Sequence, residues 1–108
     1  MQERLYNAIG LCMKAGKCQS GATAAEKAIR SQRAKLVLLE SSASEATKQQ
    51  YRVMCEGRKI PFHIVETVGR AIGKDSRIVM AVTDEAFCKM ILGAMPKTEE
   101  TAGEAIWQ

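Results

Sequence analysis

Lys35-Leu36-Val37-Leu38-Leu39 is the run that decides the architecture. Four aliphatic residues in unbroken succession are too few for a helix, and their lack of alternation leaves neither side of a strand facing water. A strand buried on both faces needs one covering layer above and another below. The flanking sequence supplies candidates for both.

On the N-terminal side, Leu5, Ile9, Cys12 and Met13 fall at spacings of three and four, which predicts a helix over residues 2–14 that Gly16 terminates. Residues 21–33 read as a second helix with Ser20 as its N-cap. Its small residues Ala22, Ala25 and Ala28, with Ile29, form a packing face, while Lys27, Arg30 and Arg33 project elsewhere. On the C-terminal side, Ser42 and Glu45 have the spacing of a capping box that opens a helix running to Gly57, with Ala46, Val53 and Met54 inward.

Ile60-Pro61 forces extended backbone into a short strand over residues 62–65. Residues 67–72 read as a short helix between a capping Thr67 and a terminating Gly73. After the polar loop Lys74-Asp75-Ser76, residues 77–82 form another buried strand through Ile78, Val79, Met80 and Val82. Thr83-Asp84-Glu85 opens a last helix with its acidic pair at the positive end. Phe87, Met90, Ile91 and Ala94, at i, i+3, i+4 and i+7, turn one face of it toward the sheet.

Helices alternating with short buried strands predict an α/β protein, a three-layer α/β/α sandwich around a small central mixed sheet. Residues 1–95 form the single domain. Residues 96–108 offer little to pack apart from Ile106 and Trp107 and read as a flexible tail.

The chain has 108 residues, 46% of them hydrophobic and 26% charged, which suits one packed core and speaks against wholesale disorder. No apolar run approaches the roughly 20 residues of a membrane span. The opening Met1-Gln2-Glu3-Arg4 lacks the order of a secretory signal, so the expected location is cytoplasmic. Cys12, Cys18, Cys55 and Cys88 contain no C-x-x-C pair and read as free thiols in a reducing compartment.

Catalytic groups are scarce. Acid–base chemistry needs a histidine or paired carboxylates in a cleft, and this chain has one histidine. Strand alternation sets His63 on the opposite face from Phe62 and Ile64, a structural or solvent-facing position. Gly10 to Lys17 resembles a phosphate-binding loop only superficially, since its glycine spacing is wrong and Cys18 stands where Ser or Thr would hold magnesium. Asp75 and Asp84 lack the ligand density of a metal site. The methionines sit mostly on core stripes as filler. The expectation is no enzyme, no metal, no cofactor and no small-molecule substrate.

Charge is more informative. Residues 1–95 carry 15 basic and 9 acidic groups, whereas the remaining tail is net negative. Between residues 14 and 35, Lys14, Lys17, Lys27, Arg30, Arg33 and Lys35 face only Glu26. Such an excess suits a polyanion-binding surface. It meets Ser20-Gly21 at a helix start, where unpaired amides and the dipole favour a phosphate and a glycine lets another backbone approach.

Several stretches together carry a family resemblance over about residues 3 to 94. They are Ser20-Gly21-Ala22-Thr23-Ala24-Ala25-Glu26-Lys27-Ala28-Ile29-Arg30, then Ala34-Lys35-Leu36-Val37-Leu38-Leu39, Arg58-Lys59-Ile60-Pro61-Phe62, the Ile72-Gly73 helix end and Arg77-Ile78-Val79-Met80-Ala81-Val82-Thr83. In order and spacing they resemble the kink-turn-binding ribosomal proteins of the L7Ae and L30e type, and most closely the small bacterial YlxQ-like members.

The resemblance implies an α/β/α sandwich that binds structured, sharply bent RNA, ribosomal RNA included, in a ribonucleoprotein. A kink opens the groove that regular A-form RNA keeps too narrow to read. Two elements are implied to meet the RNA: the start of the second helix, with Gly21 and Lys27, and the loop Lys74-Asp75-Ser76-Arg77 leading into Ile78. In this reading Lys14, Lys17, Lys27 and Arg30 contact phosphates and the Ser20-Gly21 backbone forms the helix-end anion site. Lys74 and residues 76–78 (Ser76, Arg77, Ile78) form a lip.

Archaeal and eukaryotic members of that family usually carry Asn-Glu where this chain has Thr23 and Ala24. Thr23 keeps a hydroxyl and Ala24 offers no hydrogen-bonding side chain, which implies retained backbone and phosphate contacts with weaker base readout. The rival expectation is a protein-interaction or scaffold module on the same fold with little RNA binding.

Overall fold

The computed structural model describes residues 2–66 and 78–95. The described chain runs α1 (Gln2–Lys14), β1 (Cys18–Ser20), α2 (Ala22–Arg30), β2 (Leu36–Glu40), α3 (Glu45–Gly57), β3 (Phe62–Val65), β4 (Val79–Val82) and α4 (Glu85–Ala94). The expected helix over 67–72, the loop residues Lys74, Ser76 and Arg77, and the expected tail of 96–108 lie outside the described residues.

The four strands form one mixed sheet in the order β1-β4-β2-β3. β2 is parallel to β3 and antiparallel to β4, and β1 closes one edge antiparallel to β4. Every residue from Leu36 to Leu39 is fully buried, as the unbroken aliphatic run requires. Leu36 and Leu38 point into a core with Leu5, Ile9 and Cys12 of α1 and Ile91 of α4. Val37 and Leu39 point the other way, to Ala25 and Ile29 of α2 and Tyr51 and Cys55 of α3. Two helices therefore cover each face, and the three-layer α/β/α sandwich is the observed fold. Burying one such aliphatic side chain contributes roughly 1.5–3 kcal/mol, so β2 anchors both cores.

Several local expectations are corrected. β1 carries no aliphatic signature and exists through its pairing with β4. Ser20 belongs to that strand, and Gly21 takes the N-cap position of α2 instead. α2 stops at Arg30 rather than at residue 33, because Gln32 adopts φ 66. Ala22, at the helix tip, is exposed.

α3 starts two residues later than the capping box suggests: Ser44, not Ser42, accepts the Thr47 N–H at 3.1 Å. Its inward residues are Tyr51 and Cys55, while Val53 and Ala46 are exposed and Met54 is half-buried. In α4, Cys88 and Ile91 are buried, Phe87 is half-buried and Met90 is exposed. The last strand begins at Val79. His63 is buried and, by alternation, faces the α1 and α4 side, opposite Phe62 and Ile64.

Candidate functional site

The edge strand β1 leads directly into α2. Its register sets Cys18, Gln19 and Ser20 opposite Val82, Ala81 and Met80. Gly21 continues the ladder by donating its N–H to the Val79 carbonyl at 2.9 Å. The chain then has one residue in which to leave the sheet and begin a helix. Gly21 does this at φ 92, ψ 154, a region essentially closed to residues with a Cβ. Its carbonyl accepts the first helical bond, from the Ala25 N–H at 2.9 Å.

Gly21, in the N-cap position, has no side chain to offer the amides at the start of α2, and the first turn of the helix holds no acid. The starts of α3 and α4 are closed from within. Ser44 caps α3 beside Glu45, and the Asp84 carboxylate accepts the Phe87 N–H at 3.0 Å beside Glu85 at the start of α4. Because the Gly21 N–H is spent on Val79, the donors with no acceptor inside the helix are the Ala22, Thr23 and Ala24 N–H groups, not the Ser20-Gly21 backbone, and they sit at the positive end of the α2 dipole.

A groove of about 580 Å³ opens beside this tip, lined by Gln19, Ser20, Gly21, Ala22, Thr23, Ala24, Lys27 and Arg33. A second concavity of about 500 Å³ shares Thr23 and Lys27 and continues to Glu26, Arg30 and Ser31. Among the described lining residues one carboxylate stands with these cations, and it is engaged. Glu26 pairs with Arg30 at 3.6 Å and accepts the Tyr51 hydroxyl at 3.1 Å. Burial, then this bond to Glu26, pushes the Tyr51 hydroxyl well above the ordinary phenol range. Lys27 and Arg33 are exposed and make no ion pair among the described residues, so the rim of the groove is positive.

Of the residues read from the sequence, Ser20, Gly21, Thr23, Ala24 and Lys27 share the main groove and Arg30 lines its neighbour. Ile78 is half-buried and immediately precedes Val79, the hydrogen-bond partner of Gly21, so the backbone feeding β4 arrives beside the tip. Lys14 and Lys17 stand at the opposite end of β1. There the Lys17 carbonyl accepts the Thr83 N–H at 2.9 Å and hydroxyl at 3.1 Å, and neither lysine lines the groove. Gln19 and Arg33 are lining residues that were not singled out from the sequence. The basic run from 14 to 35 signalled Arg33 only in aggregate, and Gln19 carries no signal until β1 is recognised as a strand.

The thiols lie away from this surface. All four cysteines are buried. The neighbouring Cys18 thiol, then burial, raises Cys12, and the Cys12 thiol in turn holds Cys18 down. Burial pushes Cys55 up to about 12 and also raises Cys88. Among the described residues, no group of three or more His, Cys, Asp or Glu is placed to hold a metal ion. No described helix is long and apolar enough to cross a membrane.

Residues 3–92 match the family described as ribosomal protein L7Ae/L30e/S12e/Gadd45. The chain is 40% identical over 90 residues to the RNA-binding protein YlxQ of Bacillus subtilis, covering 81% of this chain and 90% of that protein. It is 30% identical over 88 residues to the large ribosomal subunit protein eL30 of Dictyostelium discoideum, covering 77% and 79% of the two. Among solved structures, a protein of unknown function from Bacillus halodurans superposes with a TM-score of 0.78 at 30% identity, over 83% of this chain and 94% of the other.

Proposed function

The chain belongs to the ribosomal protein L7Ae/L30e/S12e/Gadd45 family, and we propose on that footing that it is a non-catalytic, cytoplasmic RNA-binding protein. Its binding surface is the groove at the start of α2, and its ligand is structured RNA with a kink-turn-like bend. The carrying observation is the α2 tip: the first-turn amides of Ala22, Thr23 and Ala24, which Gly21 has no side chain to cap, border a positive groove in which Lys27 has no acidic partner among the described residues. A phosphate seated there gains charge-assisted hydrogen bonds from the amides and a nearby ammonium. The names of its relatives, an RNA-binding protein and a large-subunit ribosomal protein, support RNA as the ligand and ribosomal RNA as the first RNA to test.

Thr23 and Ala24 line the groove and supply one hydroxyl between them. The reading is therefore of an RNA shape recognised mainly through its backbone, with modest selection among base pairs.

The test is a gel-shift titration of a kink-turn RNA, a plain duplex of equal length and a ribosomal RNA fragment over a range of salt. Affinity should fall steeply with salt, and Lys27→Ala should weaken binding and make the log–log slope shallower by about 1. Salt-independent binding, or an unchanged slope in that variant, contradicts the reading. Partners that survive nuclease treatment while no RNA shifts would favour a protein scaffold instead.

A further inference from the structure

The lower half of the groove is not explained by the helix tip. Gln19 pairs across the ladder with Ala81, whose side chain lies in the α2 and α3 core, so the Gln19 side chain shares that face and stands beside α2. Arg33 reaches the same wall from the other direction. After α2, the Gln32 N–H donates to the Ile29 carbonyl at 3.1 Å and the Arg33 N–H to the Ala28 carbonyl at 2.9 Å, a turn that folds the chain back along the helix. The turn requires φ 66 at Gln32, where glycine is the usual occupant. An exposed guanidinium and a carboxamide thus line the same groove below the α2 tip, with no ion pair to Arg33 among the described residues.

We propose that Gln19 and Arg33 form a second RNA contact, in which the strand leaving the α2 tip runs down the sheet edge along β1. Arg33 takes a phosphate of that strand, for which its forked donors are shaped. Gln19 hydrogen-bonds the base or ribose of the adjoining nucleotide with a group that both donates and accepts. Gln19 thereby supplies the side-chain readout that Ala24 lacks. Three residues of strand span about 10 Å, and Lys17 and Lys14 stand at the far end of that path. The inference rests on the RNA-binding reading and deepens it, since it names the part of the RNA that the groove holds.

The experiment titrates a kink-turn RNA with the full chain and its Lys27→Ala, Arg33→Ala, Arg33→Lys and Gln19→Ala variants across a salt series, with thermal melts as the folding control. Arg33→Ala should lower the slope by about 0.7–0.9 and weaken binding roughly 5- to 8-fold near 0.1 M salt. Arg33→Lys should restore the slope while recovering only part of the affinity, because a point charge replaces a fork. Gln19→Ala should keep the slope and narrow the preference for the kink-turn over a plain duplex. If Arg33→Ala binds as wild type does while Lys27→Ala loses slope and affinity, this inference falls and the RNA reading stands. If the wild-type chain shifts none of the RNAs, the RNA reading falls and takes this one with it.

Discussion

α2 and α3 pack on the same face of the sheet and end alike, yet they begin in opposite ways. Each closes with a left-handed non-glycine residue, Gln32 at φ 66 and Lys59 at φ 58. After α3, the Lys59 N–H donates to the Glu56 carbonyl at 3.1 Å and the Ile60 N–H to the Cys55 carbonyl at 2.9 Å, the bonding pattern of the α2 end. The C-terminal carbonyls are thus satisfied alike in both. At the N-termini, α3 uses Ser44 and Glu45 to complete its own amides and dipole, whereas α2 uses Gly21 and alanines and completes neither. The α3 start is therefore closed by its own residues, whereas the α2 start draws no side-chain acceptor from its cap residue or its first turn.

The contrast breaks most severely at Gly21. Gly21→Ala puts a Cβ on a backbone that only glycine holds comfortably and should cost about 1–3 kcal/mol of stability, read by urea unfolding, with RNA binding lost as the tip shifts. Equal stability and unchanged binding would mean that the geometry at this junction is not needed.

Making the α2 start resemble the α3 start is a sharper test. Ala22→Glu places a carboxylate in an exposed first turn, so the fold should gain a few tenths of a kcal/mol, while RNA affinity in a gel shift should drop roughly tenfold. The converse change, Ser44→Ala, should cost about 1 kcal/mol of stability and leave RNA affinity as it was. A loss of RNA affinity from the α3 change would erase the distinction between the two starts. The smallest effects belong to the helix ends: Gln32→Gly and Lys59→Gly should each raise stability by about 0.5–1 kcal/mol through relief of the left-handed strain. A similar gain at both sites would show that the ends are equivalent, as the bonding implies.

The parts of the fold that were legible before the structure are those with strong composition. The run from Leu36 to Leu39 announced a doubly covered strand, and the spacing in α1 located a buried stripe at Leu5, Ile9 and Cys12. The α3 phase was misread because counting aliphatics favours Val53, which is exposed, over Tyr51 and Cys55. Tyr51 buries its ring and satisfies its hydroxyl on Glu26, a partner on another helix that no local pattern reveals. At the site, glycine and the basic run marked the α2 tip, whereas Gln19 and Arg33 could not be paired in advance.

Local pattern alone was enough to establish alternating helices and buried strands, the layered class and an electropositive segment around a glycine-led helix, because periodicity and charge are carried by neighbours in the chain. Which of those charges share one groove was settled by folding. β1 has no strong preference of its own and becomes an edge strand only by pairing with the distant β4, and that pairing separates Lys14 and Lys17 from the tip. The turn at Gln32 then brings Arg33 back to the groove that Gln19 also lines. The β1–β4 pairing is nonlocal and the turn depends on a left-handed glutamine where glycine is usual, so residue spacing along the chain could not set these positions.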